Sequence, residues 1–177
     1  MRKLLLPILS LMIAAVILLG LYNGLGGIRT ANREKELLAK MQTLLPGSKE
    51  FVPEAYTGED ENIVAVYKGE GGYVVATQTN GYAGPIAMLI GVNDDGSVTG
   101  LQIRNMEETF GLGAKALTDW EFLAQFLHTE GDAEVGVNVD AITGATVTSK
   151  AVTRCVNSAV GFVTGADVSS GATSWGG

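Results

Sequence analysis

The chain has 177 residues, four prolines, one cysteine and one histidine, and a formal net charge of −7. That length allows one modest core plus a separate hydrophobic segment. The acidic balance, without any Lys/Arg cluster, excludes a nucleic-acid partner, which needs a basic face. The lone His128 and lone Cys155 exclude a zinc or iron–sulfur centre and a Cys-x-x-Cys redox pair, so no metal ligand and no catalytic residue is assigned.

Met1-Arg2-Lys3 precedes a stretch from Leu4 to Ile28 with no charged side chain. It is long enough to span a bilayer, and Pro7 falls early, where a helix tolerates proline best. Residues 1–28 are therefore read as a short N-terminal end and a transmembrane anchor. A cleaved signal peptide is the alternative; no small-x-small cleavage site follows Leu19 to support it. Arg29, Arg33, Lys35 and Lys40 compete with Arg2 and Lys3, so charge leaves the orientation open. Residues 29–47 form a juxtamembrane segment. Within it, 31–45 predicts an amphipathic helix with Leu37, Leu38, Met41, Leu44 and Leu45 on one side, stopped by Pro46-Gly47.

Residues 48–164 carry the signals of one small α+β domain, a mostly antiparallel sheet with flanking helices. The runs 63–67 and 73–79 predict a hairpin around Lys68-Gly69-Glu70-Gly71-Gly72. The runs 85–92 and 98–103 predict another around Asn93-Asp94-Asp95-Gly96, residues that tolerate positive φ. Asp94 and Asp95 start no calcium-ligand series. Residues 118–127 predict a helix capped by Thr118 or Asp119, with Trp120, Leu123 and Leu127 on one face and Trp120 and Phe122 in the core. His128 reads as a solvated cap and Cys155 as a packing residue. Residues 165–177, rich in Gly and Ser, read as a flexible tail.

The most particular stretch is Asp140-Ala141-Ile142-Thr143-Gly144-Ala145-Thr146-Val147-Thr148-Ser149. A short β-branched run, 135–139, precedes it, and a helical pattern follows from Lys150, so it bridges a strand and a helix start. Helix-start N–H groups lack intrahelical partners and carry the positive end of the macrodipole, which suits a phosphate. Gly144 and Ala145 keep the approach open, Thr146 presents a hydroxyl at the helix mouth, and Thr148 and Ser149 add hydroxyl donors. From the residues alone an ordinary capped turn also fits, with Asp140 and Thr143 bonded to local backbone and Thr146 or Thr148 as N-cap.

Asp140, Thr143, Gly144, Ala145 and Thr146 resemble the Asp-x-x-Ser/Thr-Gly-Ala-Thr signature of the FMN-binding domain family. Gly81-Tyr82-Ala83-Gly84-Pro85-Ile86 and Glu108-Thr109-Phe110-Gly111-Leu112-Gly113 are similar to two further segments of that family, with Phe110 where proline is usual. The resemblance is strongest to the G subunits of Rnf complexes; for the related C subunit of sodium-pumping NADH:quinone reductases the chain is short. It implies FMN esterified through its phosphate to Thr146 by an FAD-dependent FMN transferase, with Tyr82, Glu108, Thr109, Gly111, Leu112 and Gly113 near the ring. It further implies an electron relay among membrane subunits that couple ferredoxin and NAD to ion movement, the N-terminus cytoplasmic and the FMN domain outside. A stand-alone extracellular flavin carrier and a pilin-like anchored structural domain are the alternatives. Asp167-Val168-Ser169-Ser170-Gly171-Ala172-Thr173 repeats the signature; only four residues follow Thr173, so Thr146 is the expected anchor.

Overall fold

The computed structural model describes residues 12, 14, 31–106, 113, 117–127, 129–131 and 133–166. The chain divides into two compact units, residues 1–39 and 40–177. In the first, the described residues 12, 14 and 31–39 are helical. The rest of the expected anchor lies outside the described residues, as do Glu108, Thr109, Gly111, Leu112, His128 and the repeated signature ending at Thr173. Among the described residues no helix is long and apolar enough to cross a membrane.

Residues 31–44 are helical (α1), as their periodicity predicts. The turn after it is set by Gly47 at φ +112, a conformation that costs glycine little. From there the second unit builds a five-stranded antiparallel meander, β1 (Val52–Glu54), β2 (Ile63–Gly69), β3 (Gly72–Asn80), β4 (Pro85–Asn93) and β5 (Val98–Met106), in sequence order. Two helices follow, α2 (Trp120–Ala124) and α3 (Thr146–Thr164). The predicted hairpins are β2–β3 and β4–β5. In the second, the Asp95 carboxylate accepts from the Ser97 N–H at 2.9 Å and hydroxyl at 2.6 Å, closing the turn and lowering the Asp95 pKa. β1 escaped prediction: it is three exposed residues including Pro53, an edge strand without alternation.

Pairing sorts the central strands into two faces, because successive side chains alternate. Tyr73↔Val92, Val75↔Ile90, Thr77↔Met88 and Thr79↔Ile86 share one face. α3 lies on it through Ala151, Val152, Cys155, Val156, Ala159 and Val160, all fully buried. Each large apolar side chain buried there contributes about 1.5–3 kcal/mol relative to exposure. Phe162 closes one end of this layer, edge-on to Tyr73 at 5.4 Å and Tyr56 at 5.8 Å.

The other face carries Val74↔Gly91↔Gly100 and Ala76↔Leu89. Met41, Leu44 and Leu45 are buried, and a Cβ placed on Gly91 would stand 2.4 Å from the Leu44 carbonyl oxygen. Glycine here is a packing requirement. Between Gly91↔Gly100 and Val92↔Val98 the register skips Thr99, a β-bulge that turns its hydroxyl onto the Leu44 carbonyl at the end of α1.

Three expectations fail. Trp120 is 71% exposed; the buried pair is Phe122 with Phe126, one helical turn apart and edge-to-face at 5.3 Å. The α-helix stops at Ala124 and continues as tight turns to 127, so the face expected of a longer helix does not exist. The run 135–139 is also no strand: Gly136 at φ +88 folds it into a turn, with the Gly136 N–H donating to the Val139 carbonyl at 2.8 Å.

Candidate functional site

α3 starts at Thr146, and its N-cap is Ala145, with no side-chain capping bond. The first helix-closing bond from this end runs from the Ser149 N–H to the Ala145 carbonyl at 2.9 Å. The N–H groups of Thr146, Val147 and Thr148 precede it, and no acidic residue stands in the first turn. The mouth of a 19-residue helix thus keeps its partial positive charge uncompensated by any cap. This removes the capped-turn reading: neither Thr146 nor Thr148 is the N-cap.

The predicted residues separate by environment. Thr146, Asp140, Thr143 and Gly144 are exposed, while Ala145, Thr148 and Ser149 are buried. Gly144 sits at φ +79, turning the chain into the helix at a position where other residues strain. The Thr148 hydroxyl is fully buried, with no hydrogen-bond partner among the described residues. Ser149 is differently engaged: it accepts from the Ile142 N–H at 3.3 Å and donates to the Ala145 carbonyl at 3.0 Å, bracing the turn from inside. Its hydroxyl is occupied by the loop.

The rest of the loop is held by side chains that the sequence did not single out. Gln125, the C-cap of α2, accepts from the Asp140 N–H at 2.7 Å and donates to the Asp140 carbonyl at 3.3 Å. Asn157 of α3 donates to the Ala133 carbonyl at 2.8 Å. Asn138 accepts from the Glu134 N–H at 2.7 Å, and the Thr129 carbonyl accepts from the Val98 N–H at 3.3 Å. No motif marks Gln125 or Asn157, because each bonds main chain far away in sequence.

Topology gathers the other motifs at the same end of the sheet. Arg154, about 12 Å along the helix from Thr146 at 1.5 Å per residue, donates to the Asn80 carbonyl at 3.4 Å, where β3 ends. The turn that follows, closed by the Gly81 N–H to the Gly84 carbonyl at 2.8 Å, carries Tyr82, which is 74% exposed. Met106 pairs with Ile86, so β5 ends beside the start of β4, where the chain enters the segment containing Glu108, Thr109, Gly111 and Leu112. Gly113, the described member of that segment, is buried. The far end of α3 is elsewhere, with Thr164 against Gly96 of the β4–β5 turn.

These features fit a phosphate group at the start of α3: an exposed Thr146 hydroxyl at an uncapped helix mouth and three N–H groups ahead of the first helix bond. Among the described residues no group of His, Cys, Asp and Glu is arranged to hold a metal. Cys155 takes no part; burial pushes its thiol up to about 11, against a smaller lowering by the Thr77 hydroxyl that faces it.

Residues 81–161 match the FMN-binding domain family. The chain is 35% identical to the G subunit of the Na(+)-translocating ferredoxin:NAD(+) oxidoreductase complex of Acetobacterium woodii, over 89% of this chain and 87% of that protein. It is 37% identical to the G subunit of the ion-translocating oxidoreductase complex of Methanosarcina acetivorans, over 75% of this chain and 76% of that one. Against the G subunit of the proton-translocating ferredoxin:NAD(+) oxidoreductase complex of Clostridium ljungdahlii identity is 44%, over 52% and 53%.

Proposed function

We propose, on the premise that the chain belongs to the family of G subunits of ion-translocating oxidoreductase complexes, that it is an electron-relay subunit carrying FMN on Thr146. It works among other membrane subunits of a complex that couples electron transfer between ferredoxin and NAD to ion translocation. The observation that carries this reading is the exposed Thr146 hydroxyl at the uncapped mouth of α3, inside the matched signature.

Attachment is a phosphoryl transfer. The Thr146 Oγ bonds the FMN phosphorus of FAD, the pyrophosphate P–O bond breaks, AMP leaves, and the hydroxyl proton passes to a base of the FMN transferase. No electron changes hands in that step. The Thr146, Val147 and Thr148 N–H groups would hold the phosphate oxygens. Asp140, Thr143, Gly144 and Ala145 shape the approach. The turn bearing Tyr82 and the segment of Glu108, Thr109, Gly111, Leu112 and Gly113 would hold the ring. FMN supplies reversible electron transfer; the protein supplies attachment, orientation and electrostatics. A covalent bond keeps the cofactor on a domain facing the extracytoplasmic compartment, with residues 1–28 as cytoplasmic N-terminus and membrane anchor.

The test is ferredoxin:NAD oxidoreduction by membranes holding the whole complex. Replacement of the chain by its Thr146→Ala variant abolishes the activity while the complex still assembles. Wild-type activity in that variant refutes the relay.

A further inference from the structure

We propose that Gln125 is a positioning residue for the FMN acceptor, a two-point grip that presets the Asp140–Thr146 turn for the transferase. The proposal rests on Thr146 being the acceptor.

Gln125 reaches across 15 residues of sequence and engages both main-chain groups of one residue. Its Oε1 accepts from the Asp140 N–H at 2.7 Å and its Nε2 donates to the Asp140 carbonyl at 3.3 Å. One bond would leave the Asp140 backbone able to pivot; two opposed bonds fix its orientation, as paired strands fix each other. The grip has a rigid base. Asp119 caps α2 by accepting from the Phe122 N–H at 3.1 Å, and Phe122 and Phe126 on either side of Gln125 are core residues. Further along, Ser149 pins Ile142 and Ala145, and the Ala145 N–H donates to the Ile142 carbonyl at 2.9 Å. The turn is held at its start by α2 and at its end by α3. Thr143 and Gly144 stay exposed between the two anchorages, immediately before the Thr146 hydroxyl.

Such a grip adds nothing to the chemistry of the hydroxyl. It raises the fraction of chains whose acceptor turn already has the shape a second protein must seat, and apparent affinity scales with that fraction. Its loss therefore raises the KM of the transferase for this chain and leaves kcat in place. A general brace of the fold would behave otherwise, acting only as far as it lowers stability.

The experiment measures initial rates of FMN transfer from FAD to the full-length chain in detergent micelles by purified FMN transferase. Gln125→Met removes both bonds, Gln125→Glu keeps the acceptor and loses the donor, and Val75→Ala is a core-destabilised control. We expect KM to rise about tenfold in Gln125→Met at unchanged kcat, from two hydrogen bonds of ordinary strength. Gln125→Glu gives an intermediate KM, and Val75→Ala keeps the wild-type KM despite its lower melting temperature. A wild-type KM in both Gln125 variants, or a KM that tracks melting temperature across all variants, overturns the proposal. Failure of the unmutated chain to take up FMN removes the reading of Thr146 as acceptor, and the grip falls with it.

Discussion

The Asn157 amide donates to the carbonyl of Ala133 at 2.8 Å, tying the fourth turn of α3 to the loop that leads into the Asp140–Thr146 turn. Asn157 is 7% exposed and Ala133 4%, so neither group has ready access to water in its partner's place. Asn157→Ala leaves a buried carbonyl unpaired and costs about 1–3 kcal/mol. Urea denaturation of the chain in micelles, followed by circular dichroism, measures this as a lower midpoint at unchanged slope.

The face of the sheet away from α3 makes a sharper steric prediction. Gly91→Ala puts a methyl 2.4 Å from the Leu44 carbonyl oxygen, a backbone atom that cannot swing aside. Gly100→Ala meets the tip of the Leu44 side chain at 3.1 Å, which can move. Overpacking of the first kind costs about 1–3 kcal/mol. Thermal melting of the two variants should therefore show a clear loss for Gly91→Ala and a small one for Gly100→Ala; equal melting temperatures would mean that Leu44 does not seat there.

Cys155 gives a pH dependence. Its thiol has a folded pKa of about 11 against 9.0 for the unexceptional thiol, because burial disfavours the thiolate. The unfolded chain then loses its proton first as pH rises. The stability tied to this group is fully present below about 9, declines above it, and is gone past the folded value near 11. Denaturation midpoints at pH 8 and pH 10 should fall further in the wild type than in Cys155→Ala. At pH 8 the native thiol should also resist maleimide that labels it readily in urea.

The two central hairpins were legible because alternation and turn chemistry agree there: Val75 and Ile90 point one way, Val74 and Leu89 the other, and Asn93-Asp94-Asp95-Gly96 can only turn. The start of α3 was legible only to within a few residues: helical spacing reads from Lys150, and the helix begins at Thr146, just past Gly144. What was not legible depends on partners distant in sequence. Trp120 reads as core only if α2 is long; the chain tightens after Ala124, and Phe126 takes the buried place. Val135 and Val139 suggest a strand until Gly136 turns back on itself. At the site, Thr146 and Gly144 announce themselves by type and spacing. Gln125 does not, because it recognises main chain and any residue at 140 except proline would present the same two groups. Ser149 reads as a phosphate donor until the fold shows its hydroxyl spent on Ile142 and Ala145.

The most direct test of FMN attachment at Thr146 is intact mass with peptide mapping, on the chain co-expressed with an FMN transferase, alongside Thr146→Ala and Thr173→Ala. We expect the mass of one FMN phosphoester on the peptide containing Thr146, lost in Thr146→Ala and kept in Thr173→Ala, with flavin fluorescence on a denaturing gel following the same pattern. An adduct that survives Thr146→Ala and vanishes in Thr173→Ala, or no adduct on the unmutated chain, would contradict it.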